Sequence, residues 1–282
     1  MSEYLTVTCR LPAQSEERLA IALENWPVLG CQVEDAGHEV DVTVYLEQVR
    51  ASGLTIVSEG LRALGARDLS TAHFAEQDWL AKYRADVGAM PVGGRFWLDP
   101  HPAAPTPPPD ERIHLVVEPR QAFGTGSHES TQLVLLLLEE VSLEGRRVLD
   151  VGTGSGILGL AARALGASWV VGFDVDLDAA CVARQTVAAQ LRPLPVSLFG
   201  GSISALRAPG GFDVILANLI PAQLEPLLPK LHALLAADGF LIVSGLLADQ
   251  RTAFEAELTR AHFAVCQDCE AEEWVALRCR HR

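Results

Sequence analysis

The sequence predicts an α/β protein with two domains, a small split βαβ sandwich followed by a larger, doubly wound parallel sheet. In residues 1–74, apolar residues recur at strand and helix spacing in the order βαββαβ. From Arg146 onward, short apolar strands alternate with glycine-containing loops and helices, as they do in parallel sheets. The chain has 282 residues, of which 49% are apolar, so each domain can bury a core.

The first domain, residues 1–74, is predicted to be ferredoxin-like. Apolar residues alternate with polar ones from Leu5 to Leu11, which indicates a half-buried strand. Ser15 can then cap a helix whose first turn is acidic. A βαββαβ order is that of the ferredoxin-like fold, and no catalytic constellation is visible in it. The remaining predicted elements are strands at 28–34 and 40–46, a helix at 54–64 and a strand at 68–74.

Residues 75–90 are predicted to connect the two domains and to include a short amphipathic helix at 76–86. Six prolines lie between Pro100 and Pro109. Because proline has a fixed φ and no N–H group, we expect this stretch to be an exposed loop between two paired strands at 95–98 and 113–117. A proline-rich ligand for another protein module is the alternative.

The second domain, residues 91–282, is predicted to be a Rossmann-like doubly wound sheet. Two strands at 262–267 and 274–278 are joined by an acidic turn and are predicted to form an antiparallel hairpin at one edge. The other strands are predicted at 148–151, 169–173, 214–217 and 241–244, and the helices at 157–165, 178–190 and 223–235.

The composition excludes several classes of protein. The longest apolar run, Leu133 to Leu138, is far shorter than a membrane-spanning helix, and residues 1–17 lack the pattern of a signal peptide. We therefore expect a cytoplasmic protein. The net charge of −14 disfavours direct binding of nucleic acid and favours a basic partner, with solubility alone as the alternative explanation.

The six cysteines are scattered and do not resemble a disulfide framework. Cys266 and Cys269 form a C-x-x-C pair, but no second pair follows at zinc-site spacing. The acidic neighbours Asp268 and Glu270 are expected to raise the thiol pKa values instead of activating the thiols. We predict no metal site.

The strongest chemical signal is the glycine loop at 152–156, which follows the strand at 148–151 and precedes a helix. Glycines let a ligand approach the backbone closely and leave helix N–H groups pointing at it. The third glycine, Gly156, falls one position earlier than in dinucleotide-binding loops, where Ile157 stands instead. Asp150 precedes the loop, and its carboxylate suits a cationic sulfonium ligand with an α-amino group better than a pyrophosphate. The loop therefore favours S-adenosylmethionine over NAD.

Two polar residues mark the ends of further strands. Asp174 lies 22 residues after Gly152, where an acidic residue is expected to bind ribose hydroxyls. Asp176 is the alternative residue for this ribose contact, but it fits the N-cap of the following helix better. Asn218 follows the strand at 214–217, and it either holds a ligand or incoming nucleophile through its amide or caps the next helix.

Residues 122–131, which read AFGTGSHEST, closely resemble the F-G-T-G-x-H-x-T-T signature of the bacterial ribosomal-protein methyltransferase family PrmA. The segment at 78–80 resembles the family's interdomain linker, and the βαββαβ start resembles its substrate-recognition domain. Ser130 departs from the signature by replacing its first threonine, and residues 120–122 differ from the family's glycine-containing approach. The resemblance covers essentially the whole chain, and further matches in family order are residues 150–156, 173–176, 216–219, 244–245 and 273–274.

The resemblance implies a class I S-adenosylmethionine-dependent methyltransferase fold and activity. Its substrates would be lysine side chains and the N-terminal amine of a large-subunit ribosomal protein, the stalk-base protein eleven, methylated by in-line displacement. We expect a monomer. Asn218 is the expected catalytic residue, because its amide can hold the incoming amine. Thr131, Gly152, Asp174 and Asn218 match the family's cofactor contacts, and Asp150, Gly154, Phe123 and His128 are expected beside them.

The residues alone leave alternatives open. The enzyme could methylate another basic protein or a small amine, because the motifs for cofactor binding are more distinctive than those for substrate recognition. An NAD-dependent oxidoreductase is a different class, which Asp150 and the glycine spacing argue against, and a non-catalytic nucleotide-fold module is another. His128 is either a proton relay or a structural residue that holds the glycine-rich loop at 124–126.

Overall fold

A computed structural model describes residues 3–75 except 24, 25, 27, 29, 36, 38 and 48–50, together with residues 88–118 and residues 128–282 except 209. The chain divides into two compact units, Met1–Ala81 and Lys82–Arg282. The predicted linker helix at 76–86 and the first six signature residues, 122–127, lie outside the described residues. The predicted boundaries at 74 and 90 stay predictions.

The first unit is the expected four-stranded ferredoxin-like sandwich. Its sheet has the order β2-β3-β1-β4 with all neighbours antiparallel. Val7 pairs with Val44 across the two central strands, and both side chains are buried against the helices. The elements are β1 Glu3–Pro12, α1 Glu16–Leu23, β2 Gly30–Asp35, β3 Glu39–Glu47, α2 Ala51–Ala63 and β4 Arg67–Ala75.

The second unit is built on a seven-stranded sheet of order β10-β9-β8-β11-β12-β14-β13. The strands of this sheet are β8 Arg147–Val151, β9 Trp169–Asp174, β10 Ser197–Gly200, β11 Phe212–Asn218, β12 Leu235–Leu247, β13 Phe263–Ala271 and β14 Trp274–His281. Strands β8 to β12 are parallel, whereas β14 is antiparallel to β12 and β13. The doubly wound sheet and the antiparallel hairpin at its edge are therefore confirmed.

Helices cover both faces of this sheet. Successive residues of a strand point to opposite faces, so Val148 packs into one hydrophobic core and Leu149 into the other. The helices are α3 Glu129–Glu139, α4 Ile157–Ala164, α5 Leu177–Ala188, α6 Pro221–Leu224, α7 Leu228–Leu234 and α8 Arg251–Arg260. None of the helices in the described residues is long and apolar enough to cross a membrane.

The helix predicted at 223–235 is wrong as a single element. The structure has α6, a 3-10 turn at Glu225–Leu227 and α7, and the strand β12 begins at Leu235. Pro226 and Pro229 explain the break, because a proline inside a helix removes one backbone donor and clashes with the preceding turn.

The proline-rich segment connects two paired strands, as predicted. Strand β6, Phe96–Asp99, pairs in parallel with β7, Ile113–Val116, and antiparallel with β5, Met90–Val92. The buried carboxylate of Asp99 accepts hydrogen bonds from the N–H groups of His101 and Thr106, and His114 Nε2 lies 3.1 Å from its Oδ2. These bonds fold the loop back onto the strand that it leaves.

Candidate active site

A cleft of about 390 Å³ opens at the carboxyl ends of strands β8, β9 and β11. Gly152 and Gly154 follow β8, Asp174 ends β9, and Asn218 ends β11, so four sequence-predicted site residues line one cleft. Strands β9 and β10 lie on one side of β8, and β11 and β12 lie on the other side. Ligands of open α/β sheets bind at the point where the strand order reverses in this way. Leu219, Ile220, Gly245 and Trp274 supply much of the remaining wall.

The glycine loop takes a backbone path that side chains would obstruct. Gly152 has φ +65°, and a Cβ at this position would lie 2.6 Å from Cδ2 of Leu219. Gly156 is the N-cap of α4 and has φ +85°. The loop therefore needs glycine at both positions, as its spacing indicated.

Asp150 is fully buried beneath this loop. Its Oδ2 accepts hydrogen bonds from the hydroxyl of Thr153 at 2.6 Å and from the N–H of Gly159 at 3.0 Å. Burial raises the pKa of Asp150 to about 6, and the nearby carboxylate of Asp174 adds to that rise, whereas the two hydrogen bonds oppose it. Its Oδ1 has no hydrogen-bond partner among the residues that the structure describes. Asp150 is not among the residues that line the cleft, so its predicted contact with a cofactor stays a prediction.

The two neighbouring aspartates have different partners, and the N-cap predicted for Asp176 is confirmed. Asp176 caps α5 by accepting the N–H of Asp178 at 2.9 Å. Asp174 accepts the N–H of Gly154 on Oδ2 and the N–H of Asp176 on Oδ1, both at 3.0 Å, which holds its carboxylate at the cleft. Each carboxylate oxygen retains acceptor capacity for a ligand hydroxyl.

Asn218 is buried with 9% of its surface exposed. Its Nδ2 donates to the hydroxyls of Ser130 and Thr131, both at 3.2 Å, and its Oδ1 has no hydrogen-bond partner in the part of the chain that the structure describes. The alternative that Asn218 caps the next helix is wrong, because α6 has Ile220 as its N-cap and no side-chain cap bond. Pro221 at the first helical position needs no such partner.

His128 is the N-cap of α3, which places Ser130 and Thr131 in the first turn of that helix. Its Nδ1 accepts the N–H of Ser130 at 3.3 Å and lies 2.9 Å from the hydroxyl of Ser130. The ring packs edge-on against Trp274, with 4.7 Å between ring centroids. The predicted site residue Phe123 lies outside the described residues.

Sequence reasoning did not assign Ser130 or Trp274 to the site. Both stood in the segments that carried the family resemblance, and that was the only signal for them. The contact between Ser130 and Asn218 joins residues 88 positions apart, so no local pattern could reveal it.

The C-x-x-C pair has a structural setting in β13. Cys266 Sγ lies 3.2 Å from the carbonyl oxygen of Arg278, whereas Cys269 Sγ lies 3.6 Å from that of Leu133, and burial raises the pKa of Cys269 to about 11. Within the described part of the chain, no group of three or more His, Cys, Asp or Glu side chains is placed to hold a metal ion.

The fold and the cleft define a class I S-adenosylmethionine-dependent methyltransferase. Comparison with known proteins identifies the particular family. The sequence profile of the ribosomal protein L11 methyltransferase (PrmA) family matches residues 12–282. The chain therefore belongs to the ribosomal protein L11 methyltransferase (PrmA) family, and S-adenosylmethionine is its cofactor.

Individual relatives agree with this assignment. A ribosomal protein L11 methyltransferase from Pelobacter propionicus is 34% identical over 310 aligned residues, which cover 98% of this chain and 97% of that one. One from Pseudomonas aeruginosa is 36% identical over 226 residues, covering 79% and 75%. The crystal structure of a ribosomal protein L11 methylase from Lactobacillus delbrueckii subsp. bulgaricus has a TM-score of 0.62 and 27% identity, covering 70% of this chain and 98% of that one. The predicted resemblance is confirmed, and the NAD-dependent alternative is wrong.

Proposed function

We propose that this enzyme methylates amino groups of ribosomal protein L11, both lysine side chains and the N-terminal α-amine, with Asn218 holding the amine in line with the methyl group. The observation that carries the proposal is the amide of Asn218. Its nitrogen is bound by two hydroxyls, while its buried oxygen has no hydrogen-bond donor among the described residues. A neutral amine supplies the missing N–H donor.

The cleft suits S-adenosylmethionine in its chemistry. We propose that the Gly152 and Gly154 backbone lies against the cofactor and that Asp174 accepts the ribose hydroxyls. When bound, S-adenosylmethionine supplies an electrophilic methyl group on a sulfonium centre. Thr131 and His128 hold the end of the cleft near Asn218, and Asp150 supports the loop from below through the hydroxyl of Thr153.

The walls of the cleft favour the reactive form of the amine. A lysine amine has a pKa of about 10.4 in water and is mostly protonated at neutral pH, so it must lose a proton before it can attack. The apolar side chains of Leu219 and Trp274 would desolvate an amine in the cleft, and desolvation disfavours its charged form. Asn218 Oδ1 then accepts one N–H of the neutral amine, which orients the nitrogen lone pair. Positioning of this kind supplies most of the expected acceleration.

The charge of the chain supports a basic protein substrate. The net charge is −14, and residues 1–74 hold 11 acidic against 5 basic residues. An acidic surface accelerates encounter with a basic protein and repels nucleic acid. We assign substrate recognition to the ferredoxin-like unit, whose outward sheet face carries exposed polar groups such as the Arg10–Asp41 ion pair. We expect the enzyme to act as a monomer in the cytoplasm.

The test is mass spectrometry of L11 from methylation-deficient cells after incubation with the purified enzyme and S-adenosylmethionine. We expect mass gains in multiples of one methyl group, mapped by fragmentation to lysine and N-terminal amines, and none with Asn218→Ala. L11 whose amines have been fully acetylated serves as the matched substrate control and should gain no methyl group. Methylation of acetylated L11, or undiminished methylation by Asn218→Ala, would contradict the proposal.

A further inference from the structure

A chain of hydrogen bonds runs from the cap of α3 to the amide of Asn218. His128 Nδ1 lies 2.9 Å from Ser130 Oγ, and Ser130 Oγ lies 3.2 Å from Asn218 Nδ2. Ser130 has no exposed surface, so water does not reach this hydroxyl as an alternative partner. The direction of each bond in the chain decides which end of the Asn218 amide faces the cleft.

The direction follows from one group that can only donate. The backbone N–H of Ser130 points at His128 Nδ1 at 3.3 Å, so Nδ1 must be the unprotonated nitrogen of the ring. Nδ1 then also accepts the hydroxyl proton of Ser130 at the shorter distance, so its one lone pair is shared between two donors of the same residue. A hydroxyl that has given its only proton to His128 can only accept from Asn218. Asn218 must present its NH₂ group to Ser130, which leaves Oδ1 on the opposite side of the amide.

We infer that His128 and Ser130 are positioning residues for methyl transfer, because together they fix Asn218 Oδ1 as the group that meets the incoming amine. The inference rests on the proposed function, in which Asn218 holds that amine. In the flipped orientation Asn218 would offer N–H donors to the amine nitrogen and occupy the lone pair that must attack the methyl carbon. The two orientations of the Asn218 amide fill the same volume. The hydrogen bonds from His128 and Ser130 therefore control the rate of methyl transfer and leave the shape of the cleft unchanged.

Two neighbours reinforce this arrangement. Thr131 Oγ1 provides a second acceptor for Asn218 Nδ2 at 3.2 Å. Trp274 packs edge-on against the His128 ring with an interplanar angle of 70°, and this contact keeps the ring in the plane that the bond to Ser130 requires. The family signature has threonine where this chain has Ser130, and threonine carries the same hydroxyl.

The kinetic test compares Ser130→Ala with Ser130→Thr, with Asn218→Ala and with a control variant outside the cleft. Ser130→Ala should lower kcat by about tenfold or more, the scale of losing one preorganised polar group, while KM for L11 and the Kd for the cofactor change by less than about threefold. Ser130→Thr should restore kcat. Thr186→Val is the matched control, because it also removes a buried hydroxyl, one that donates to the carbonyl of Val182 within the helix α5. Its kcat should stay at the wild-type value.

The outcomes separate this inference from the proposed function. If Asn218→Ala loses activity while Ser130→Ala keeps the wild-type kcat, the positioning role is overturned and the proposed function stands. If Asn218→Ala keeps full activity, the proposed function itself fails. Equal losses of kcat and of cofactor affinity in Ser130→Ala would indicate a purely structural role and would overturn the inference.

A measurement on the wild-type protein needs no variant to fold. In protein labelled with ¹⁵N-histidine, long-range ¹H–¹⁵N spectra report which ring nitrogen of His128 carries the proton. We expect an unprotonated Nδ1. A proton on Nδ1 of His128 would reverse the direction of the chain and overturn the inference.

Discussion

Replacing Asp150 with asparagine should change how the stability of the enzyme depends on pH. The carboxylate is 1% exposed, and burial raises its pKa to about 6 from an ordinary value of 3.8. Asparagine keeps the size and one acceptor oxygen for the Thr153 and Gly159 donors, but it cannot ionise. Any difference in pH dependence between the two proteins therefore reports the ionisation of Asp150.

The sign and size follow from proton linkage. Between pH 4 and pH 6 the unfolded chain loses the Asp150 proton while the folded chain keeps it, so the stability of the folded state falls as pH rises through this range. Above about pH 6 Asp150 is ionised in both the folded and the unfolded state, and the loss of stability reaches its full size. A shift of about two pKa units corresponds to about 3 kcal/mol, by which wild type should lose stability relative to Asp150→Asn between pH 4 and pH 7.

The assay is urea unfolding of both proteins at several pH values, with hydrogen exchange in β8 used to assign the transition of the second unit. The absolute stability of Asp150→Asn also includes the cost of a buried NH₂ group at the Oδ1 position, but that cost does not vary with pH. Only the change in the difference between the proteins matters. A difference that stays constant within about 1 kcal/mol from pH 4 to pH 7 would refute the reasoning.

Three further predictions concern the loop, the sheet edge and a histidine cluster. Gly152→Ala should raise the cofactor Kd about tenfold in calorimetry, because alanine strains a backbone at φ +65°, whereas Gly30→Ala has open space around it and should not. Gln190→Ala should speed exchange of the Val116 amide about tenfold, because the Gln190 side chain both accepts the Val116 N–H and donates to its carbonyl. Burial and two neighbouring histidines lower the pKa of His232, so stability should fall as pH falls through the ordinary histidine range, and His232→Gln should weaken that fall in thermal melts.

Periodicity predicted the architecture because each element buries one side or one stripe. Strands such as β8 alternate between two cores, and their order along the chain indicated the parallel sheet before any contact was known. The strand β10 was missed because it is four residues long and only partly buried. The break between α6 and α7 was missed because the apolar spacing continues through Pro226 and Pro229 although the backbone bonding does not.

The site was predictable where chemistry follows a local rule. Glycines after β8 and an acid after β9 occupy positions that the fold itself assigns, so Gly152 and Asp174 could be named from their spacing. Ser130 obeys no such rule, because its partner Asn218 is distant in sequence and the bond exists only after the sheet has formed. The role of its hydroxyl depends on the directions of its hydrogen bonds to His128 and Asn218, which only the folded structure shows.

Unpaired polar atoms point to the ligands that the cleft must supply. Within the described residues, three buried side-chain nitrogen or oxygen atoms lack a partner, and two of them are Oδ1 of Asp150 and Oδ1 of Asn218. A buried acceptor without a donor costs about 1–3 kcal/mol, more when it is charged. In the proposed function the Asn218 oxygen is the one that meets the amine, so the bound amine would remove this cost at the moment when it is aligned. The Asp150 carboxylate does not line the cleft, so a cationic cofactor proposed to bind there would act on it only through space, by lowering the cost of its ionisation. On that proposal, part of the binding free energy of the amine comes from pairing an acceptor that the protein leaves unpaired among the described residues.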